Sequence, residues 1–201
     1  MARYIGPKTK VSRKYGEYIK GNRKVFNKKK YPPGMHGQKK RKKSAYAIQQ
    51  HEKQKLKAIY GIQEGKLRNL FKRATRMQGK TGELLLQSAE RRLDNVVFRM
   101  LGLKEGSRDR ARQFVSHKHI QVNGRTVNIA SFSVSPGDLI RLTPKAQKNS
   151  NITEGITGVK EQYTWLTWDQ EKHTGTFVAI PTREDIPEKI DEKSIVELYS
   201  R

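Results

Sequence analysis

Arg91-Arg-Leu-Asp-Asn-Val-Val-Phe-Arg-Met-Leu-Gly102, followed by Ala111-Arg-Gln-Phe-Val-Ser-His-Lys-His-Ile-Gln-Val-Asn-Gly-Arg-Thr-Val-Asn-Ile129, is the stretch that decides the fold. Leu93, Val96, Val97, Met100 and Leu101 recur at i, i+3, i+4, i+7 and i+8, an apolar stripe on one helix. Gly102 is placed to end that helix, because glycine takes the left-handed conformation without strain. Ser107 reads as the cap of a second helix with Asp109 in its first turn and Ala111, Phe114 and Val115 on its buried side. Ile120 and Val122 then alternate with polar residues. Asn123-Gly124 is the pair that a two-residue hairpin turn favours, and Val127 and Ile129 continue beyond it. A further strand is expected around Leu139 to Leu142, after the Pro136-Gly137-Asp138 turn. Residues 91–142 therefore make a compact module of two helices and a small twisted antiparallel sheet.

Charge decorates this module in a pattern. Arg108, Arg112 and Ser116 stand four residues apart, on a helix face beside the apolar one. Arg92, Lys118 and Arg125 gather at helix ends and hairpin, with His117 and Asn123 in the same loops. Singly, each could merely keep a small domain soluble; together they favour RNA. Asp94, close to Arg91 and Arg92, reads as an ion-pair partner.

Upstream, a helical block is expected from about Ser44 to about Gln78. Ser44 is its cap, and Leu67, Leu70, Phe71, Ala74 and Met77 repeat with helical spacing. Lys66, Lys72, Arg73 and Arg76 share this block and could face phosphate. Gly79 and Gly82 interrupt it, and a short helix carrying Leu84, Leu85 and Leu86 follows. Downstream, a strand is expected near Trp165-Leu-Thr-Trp168 and another at Thr176-Phe177-Val178. The tryptophans read as core anchors before interface residues.

The first 57 residues hold 19 Lys and Arg against Glu17 and Glu52, a net charge of +17 out of +24. Residues 58–159 add +10, and residues 160–201 carry −3. A segment so basic and so poor in apolar residues cannot offset its chain entropy by burial and needs a polyanion. Nucleic acid fits, because each neutralised phosphate releases a counterion. Tyr4, Tyr15, Tyr18, Phe26 and Tyr31 interleave the charges and could stack on bases. Gly6-Pro7 and Pro32-Pro33-Gly34 fix turns. A membrane-surface helix would need one coherent apolar face, and this segment has none. Little order is expected here without RNA.

No run of 18 apolar residues spans a membrane, and no apolar leader opens the chain, so a cytosolic location is expected. The absence of cysteine rules out disulfides, thiolate zinc and a thiol nucleophile. His36, His51, His117, His119 and His173 are scattered, and no phosphate-cradling glycine motif or His-Glu metal pair occurs. An enzyme, or the binding module of an RNA-modifying one, is thus the weaker reading. A non-specific nucleic-acid-compacting protein is the other rival, but a pure counterion needs neither the module nor the acidic end.

Residues 92–100 and 111–129, together with Met1-Ala-Arg-Tyr-Ile-Gly-Pro7, Pro33-Gly-Met-His-Gly37, Lys53-Gln-Lys55, Ile59-Tyr-Gly61 and Ile195-Val-Glu-Leu-Tyr-Ser200, resemble the family of bacterial small-subunit ribosomal protein four. The likeness runs along essentially the whole chain. The helix–helix–hairpin part alone also resembles modules of pseudouridine synthases and a tRNA synthetase. The family implies an α+β fold: a basic extended N-terminal segment (1–43), a mainly helical domain (44–90, completed by 177–201), and an inserted RNA-binding module with following strands (91–176). It implies direct binding to the 5′ domain of 16S rRNA, nucleation of the subunit body, and a contact with small-subunit protein five that bears on decoding accuracy. A functional link to proteins three and twelve is implied as well. No cofactor follows. Some relatives bind zinc through four N-terminal cysteines; here Thr9 and Ser12 occupy the first two positions, so no metal site is carried over. His36 is left as a hydrogen-bonding or phosphate-facing residue.

The expected RNA-facing residues are therefore Arg3, Lys8, Lys10, Arg13, Lys14, His36, Lys39, Lys40, Arg41, Lys42 and Lys43 in the first segment. Lys53, Lys55, Lys66 and Arg73 join them from the helical block, and Arg92, Arg108, Arg112, Ser116, His117, Lys118, Asn123 and Arg125 from the module. The acidic end should meet a basic protein through Glu184, Asp185, Glu188, Asp191 and Glu192.

Overall fold

The computed structural model describes residues 4–39, 42–103, 108–153, 156 and 163–200. Arg3, Lys40, Arg41 and the cap expected at Ser107 lie outside the described residues. In chain order the helices and strands are α1 (Lys8–Tyr15), α2 (Arg23–Lys28), α3 (Ala45–Tyr60), α4 (Glu64–Ala74), α5 (Thr81–Glu90), α6 (Leu93–Met100) and α7 (Arg108–Ser116). There follow β1 (Ile120–Val122), β2 (Arg125–Thr126), β3 (Leu139–Leu142), α8 (Pro144–Gln147), α9 (Ser150–Thr153), β4 (Thr174–Thr176) and α10 (Glu192–Tyr199). The chain folds into two compact units, Met1–Gly82 with Lys189–Arg201, and Glu83–Glu188. The boundaries expected from sequence are 90/91 and 176/177. Most of α5 goes with the second unit because Glu90 is bound there, and Gln87 Nε2 donates to the Pro181 carbonyl at 3.1 Å. Phe177 belongs to that unit's core.

In the first unit, the expected extended segment contains two helices instead. Its organiser is Ser12, fully buried, whose hydroxyl accepts from the Ile19 and Lys20 amides at 3.0 Å and donates to the Lys20 carbonyl at 2.7 Å. Thr9 Oγ1 accepts from the Asn22 amide at 3.3 Å. Asn22 in turn caps α2 by accepting from the Lys24 and Val25 amides. Hydroxyls of Thr9 and Ser12 thus close this loop. Ile19 and Phe26 are buried.

Ser44 caps α3 as expected, its hydroxyl accepting from the Ala47 amide. The helical block is not continuous: Gly61 takes φ 62°, and α4 starts afresh at Glu64. Leu67, Phe71 and Ala74 are buried, whereas Met77 lies beyond the helix end and is exposed. The C-terminal helix α10 packs on α3. Gln49 Nε2 donates to Glu197 at 2.8 Å, and the Phe71 and Tyr199 ring centroids lie 4.7 Å apart.

In the second unit all eight residues of α6 are buried, the polar ones included. Its first free amides, Leu93 and Asp94, donate to the Phe132 and Ala130 carbonyls, so a loop caps the helix in place of a side chain. Gly102 ends this part of the chain at φ 59°. The sheet is fully antiparallel in the order β2-β1-β3-β4. Asn123 and Gly124 take φ 49° and 79°, the left-handed pair the turn requires. Pairing beyond the turn is shorter than expected: β2 ends at Thr126 and Ile129 is exposed. The strand expected at 165–168 is reduced to isolated bridges, Leu166 to Phe177 and Asp169 to Thr174. Trp165 is in the core.

Candidate nucleic-acid interface

An interface for phosphate needs cations that no acid has already engaged. Sorted that way, the expected RNA-facing residues fall into two groups. Several arginines of the second unit are internal. Arg92 makes a bidentate bridge to Asp94 (3.1 and 2.8 Å) with both side chains buried, the ion pair expected for Asp94. Arg112 Nε lies 3.9 Å from the same carboxylate. Arg108 donates from Nη2 to Glu188 and from Nε to Asn95 Oδ1 at 3.0 Å, with its guanidinium 4.5 Å over the Phe98 ring. Arg108 and Glu188, assigned from sequence to RNA and to a partner protein, are paired with each other. Arg92 and Arg108, expected at phosphate, are engaged within the unit by Asp94 and by Glu188 and Asn95.

At the centre of this network is Arg99, 1 % exposed, which the sequence reading did not single out. Its Nε and Nη2 clasp Glu90 at 2.6 Å each, Nη2 also meets Glu188 at 2.6 Å, and Nη1 donates to the Tyr163 hydroxyl at 2.9 Å. Asn95 Nδ2 donates to Glu90 at 2.6 Å and completes the array. Glu90 and Glu188 balance Arg99 and Arg108, which makes burial of four charges tolerable. Burial works to raise the Glu188 carboxyl, but the two guanidiniums hold it below its ordinary range. The signal was present in the sequence: an arginine inside Val96-Val97-Phe98-Arg99-Met100-Leu101 must have a buried acid.

In the first unit, Lys55 is buried and donates to Glu17 at 2.8 Å and to the Lys189 carbonyl at 2.5 Å. Lys53 and Lys57 each reach Glu64 at 2.9 Å, and the Tyr199 hydroxyl donates to it at 2.9 Å. Burial pushes the Glu64 carboxyl up, but these donors outweigh it and hold the group at about 2. Lys53 and Lys55, expected at phosphate, are thus engaged within the unit. Arg13 donates to the Tyr31 and Pro32 carbonyls and lies 5.0 Å over the Tyr31 ring. The interleaved aromatics are largely internal too: Phe26 is buried and Tyr15 meets His51 edge-on, while Tyr4 remains half exposed.

The remaining expected cations face solvent. Lys8, Lys10, Lys14, Lys39, Lys42 and Lys43 are exposed, as is His36 in its turn. On α4, Lys66 and Arg73 are exposed together with Lys72 and Arg76. In the second unit Ser116, His117, Lys118, Asn123 and Arg125 are exposed, but Ser116 bonds the Arg112 carbonyl. Asn123 clamps its own turn, accepting from the Leu139 amide at 2.9 Å and donating to Asp138 at 2.8 Å. Lys145 and Arg141, also exposed, were missed. The signal for Lys145 was Thr143-Pro144, a cap and an N1 proline; Thr143 Oγ1 caps α8. Burial, then His117 and Lys145, push the His119 imidazole down.

The acidic residues of the C-terminal segment are mostly engaged locally. Asp185 accepts from the Thr182 amide and hydroxyl at 2.7 and 2.8 Å, and Asp191 caps α10. Glu192 sits in the first turn of α10, against Gly82, where a Cβ would lie 2.8 Å from its Cγ. Glu184 is exposed. Among the described residues, no group of three or more His, Asp or Glu could hold a metal ion, and no helix is long and apolar enough to cross a membrane.

Residues 3–90 match the ribosomal protein S4/S9 N-terminal domain, and residues 91–140 match the S4 domain. The chain is 53 % identical to the small ribosomal subunit protein uS4 of Christiangramia forsetii over 203 aligned positions, covering all of both chains. It is 54 % identical to the uS4 of Amoebophilus asiaticus and 52 % to that of Parabacteroides distasonis, again over the full length of each.

Proposed function

The chain belongs to the uS4 family of small ribosomal subunit proteins, and from that membership we propose that it works as a primary binder of the 5′ domain of 16S rRNA, nucleating the subunit body. As a uS4 protein it is a structural, RNA-binding component of the bacterial cytoplasmic ribosome. The observation that carries the finer reading is a division among the cations: those on α1, on α4 and at the His117–Lys118–Lys145 corner face solvent, while Arg92, Arg99 and Arg108 of the second unit are engaged. Phosphate is then bound chiefly by Lys10, Lys14, Lys39, Lys42, Lys43, Lys66 and Arg73 in the first unit and by His117, Lys118 and Arg125 in the second. Contact with small-subunit protein five falls to Glu184 and its surroundings, since the other four acids are bonded or packed locally. That contact tunes decoding accuracy by biasing two subunit conformations, not by touching the message.

The test is a salt titration of binding to a 5′-domain rRNA fragment, with duplex DNA as the comparison. Ten or more phosphate contacts give a slope of roughly −7 to −9 or steeper in log K against log salt. Tight binding should survive at salt that abolishes the DNA complex. A slope near −2, or equal affinity for the DNA, overturns the proposal and favours a mere compacting protein. Glu184→Lys should leave rRNA affinity unchanged and raise misreading in ribosomes that carry it; lost rRNA affinity with normal error frequency puts this surface on the RNA side instead.

A further inference from the structure

The first unit carries a cleft of about 560 Å³ formed by α1, the turn at Pro33, the C-terminal half of α3 and the start of α4. That volume lies within the range of about 300–1,000 Å³ usual for small-ligand sites. Its chemistry is mixed in a specific way. Tyr4 and Tyr15 supply aromatic rings, and Val11, Ala58 and Ile62 supply apolar lining. Lys10 and Lys14 bring ammonium groups to the same cleft, and both are exposed. Gln54 and Gln63 contribute primary amides, each able to donate and accept.

A track for the sugar-phosphate chain alone would need lysines, not depth, rings or amides. An acidic peptide would find no use for the rings. A flat heteroaromatic ring carrying an anion uses every part: rings and aliphatic lining for its faces, amides for its edge, ammonium groups for its charge. We propose that this cleft takes one unstacked nucleotide, its base between the tyrosines and beside Gln54 and Gln63, its phosphate on Lys10 and Lys14. The proposal rests on the RNA-binding reading above for its physiological source, a base turned out of an RNA strand; a free nucleotide has the same chemistry, and the two are separable. Burial, with a smaller contribution from Glu52, pushes the Tyr15 phenol up, so it remains a neutral hydrogen-bond donor at the cleft.

The experiment uses the full chain, with AMP and ribose 5-phosphate as small probes and the 5′-domain rRNA fragment as the large one. Saturation-transfer NMR should light the base protons of AMP at millimolar concentration, with ribose 5-phosphate at least fivefold weaker. Ala58→Trp, which fills the cleft without altering charge, should abolish the AMP signal. It should weaken rRNA binding by roughly 5- to 100-fold, the range for losing one stacked base, with the salt slope flattened by no more than about 0.7–0.9, the share of the one phosphate on Lys10 and Lys14. In the wild type, rRNA carrying 4-thiouridine at unpaired positions should photocrosslink to Tyr4 or Tyr15, a readout that needs no variant. Loss of AMP binding in Ala58→Trp with full rRNA affinity still supports a nucleotide site and assigns it to the free species. Absence of any AMP base signal, together with crosslinks confined to other residues, overturns the proposal. Wild-type affinity for the rRNA fragment is read separately, so failure of the cleft and failure of the RNA-binding reading are distinguishable.

Discussion

Arginine and lysine are used differently in the two compact units. Within Glu83–Glu188, Arg91, Arg92, Arg99 and Arg108 all end on acceptors of the same unit: the Val134 carbonyl, Asp94, Glu90 and Glu188. Within the first unit, the lysine runs at 28–30 and 42–43 point to solvent. The guanidinium is planar, always charged and weakly hydrated, so it survives burial by chelating carboxylates; the ammonium is strongly hydrated and goes inside only where, as at Lys55, a carboxylate and a carbonyl hold it. Net charge measured the polyanion surface fairly in the first unit and overstated it in the second, where much of the positive charge is cancelled internally.

The largest effect tests the internal half of that contrast. Arg99→Met leaves Glu90 and Glu188 buried around an apolar side chain and should destabilise the second unit by about 3–5 kcal/mol. The tryptophans Trp165 and Trp168 both lie in that unit, so urea unfolding followed by their fluorescence reads it directly. Pairing Arg99→Met with Glu90→Leu should recover a good part of the loss, because an apolar pair of similar volume replaces the ion pair. A single variant as stable as the wild type would mean that the network holds nothing together.

Next comes a pair of charge changes with opposite expected readouts. Arg108→Glu sets a new carboxylate beside Glu188 and should cost the second unit about 2–4 kcal/mol, with RNA binding falling only as the unit unfolds. Replacing Lys66, Lys72, Arg73 and Arg76 together by Gln should change stability little, because all four are exposed. It should instead flatten the salt slope of rRNA binding by roughly 0.7–0.9 for each phosphate no longer neutralised. If Arg108→Glu leaves the unit stable but weakens RNA binding, the internal and external sets must be exchanged.

What could be read from the chain is what depends on near neighbours. The apolar stripe of α6, the left-handed Asn123-Gly124 turn, Gly102 and the Ser44 cap are set by residues a few positions apart, and each is found. The buried network joins Glu90, Arg99 and Glu188, the last two separated by 89 positions, and no local pattern encodes that distance. The same holds for Lys55, whose partners are Glu17 and the Lys189 carbonyl. The N-terminal helices escaped notice because their burial hangs on one hydroxyl, Ser12, amid a run of charge. The solvent-facing lysines of α1 and α4 were legible as a class; which arginines would be withdrawn from that class was not.

A smaller effect separates turn from surface in the second unit. Gly124 holds φ 79°, with open space where a Cβ would be, so the strain of a substitution is in the backbone, not in packing. Gly124→Val should therefore cost about 1–2 kcal/mol through the left-handed conformation of a β-branched residue. Thermal unfolding should show this loss, while rRNA affinity measured well below the new midpoint should stay within twofold. Asn123→Ala should act in the same direction, since it removes the acceptor of the Leu139 amide and the bond to Asp138. A large affinity loss in a folded Asn123→Ala protein would return this residue to the RNA-contacting set.

The smallest effect is acid sensitivity of the first unit, where few acids stand among many bases. Glu64 has its carboxyl held at about 2 against an ordinary 4.5: burial alone would raise it, and the hydrogen bonds from Lys57, Lys53 and Tyr199 outweigh burial. Asp191 is likewise lowered, first by the Ser194 hydroxyl and against a lesser opposing effect of burial. A carboxylate whose folded value is depressed stabilises the fold fully above its unfolded value and loses that contribution as pH falls toward the folded one. Stability should accordingly be flat from neutrality to about pH 5 and decline between about pH 4.5 and 2. Glu64 is about a third exposed, so solvent screening limits its share to about 1 kcal/mol or less. Glu64→Gln should lower stability at pH 7 by that amount and leave less to lose in acid. Urea midpoints of the wild type and the variant, followed by far-UV circular dichroism, should thus converge as pH falls from 5 to 3. Parallel pH curves would mean that the three donors around Glu64 add nothing beyond packing.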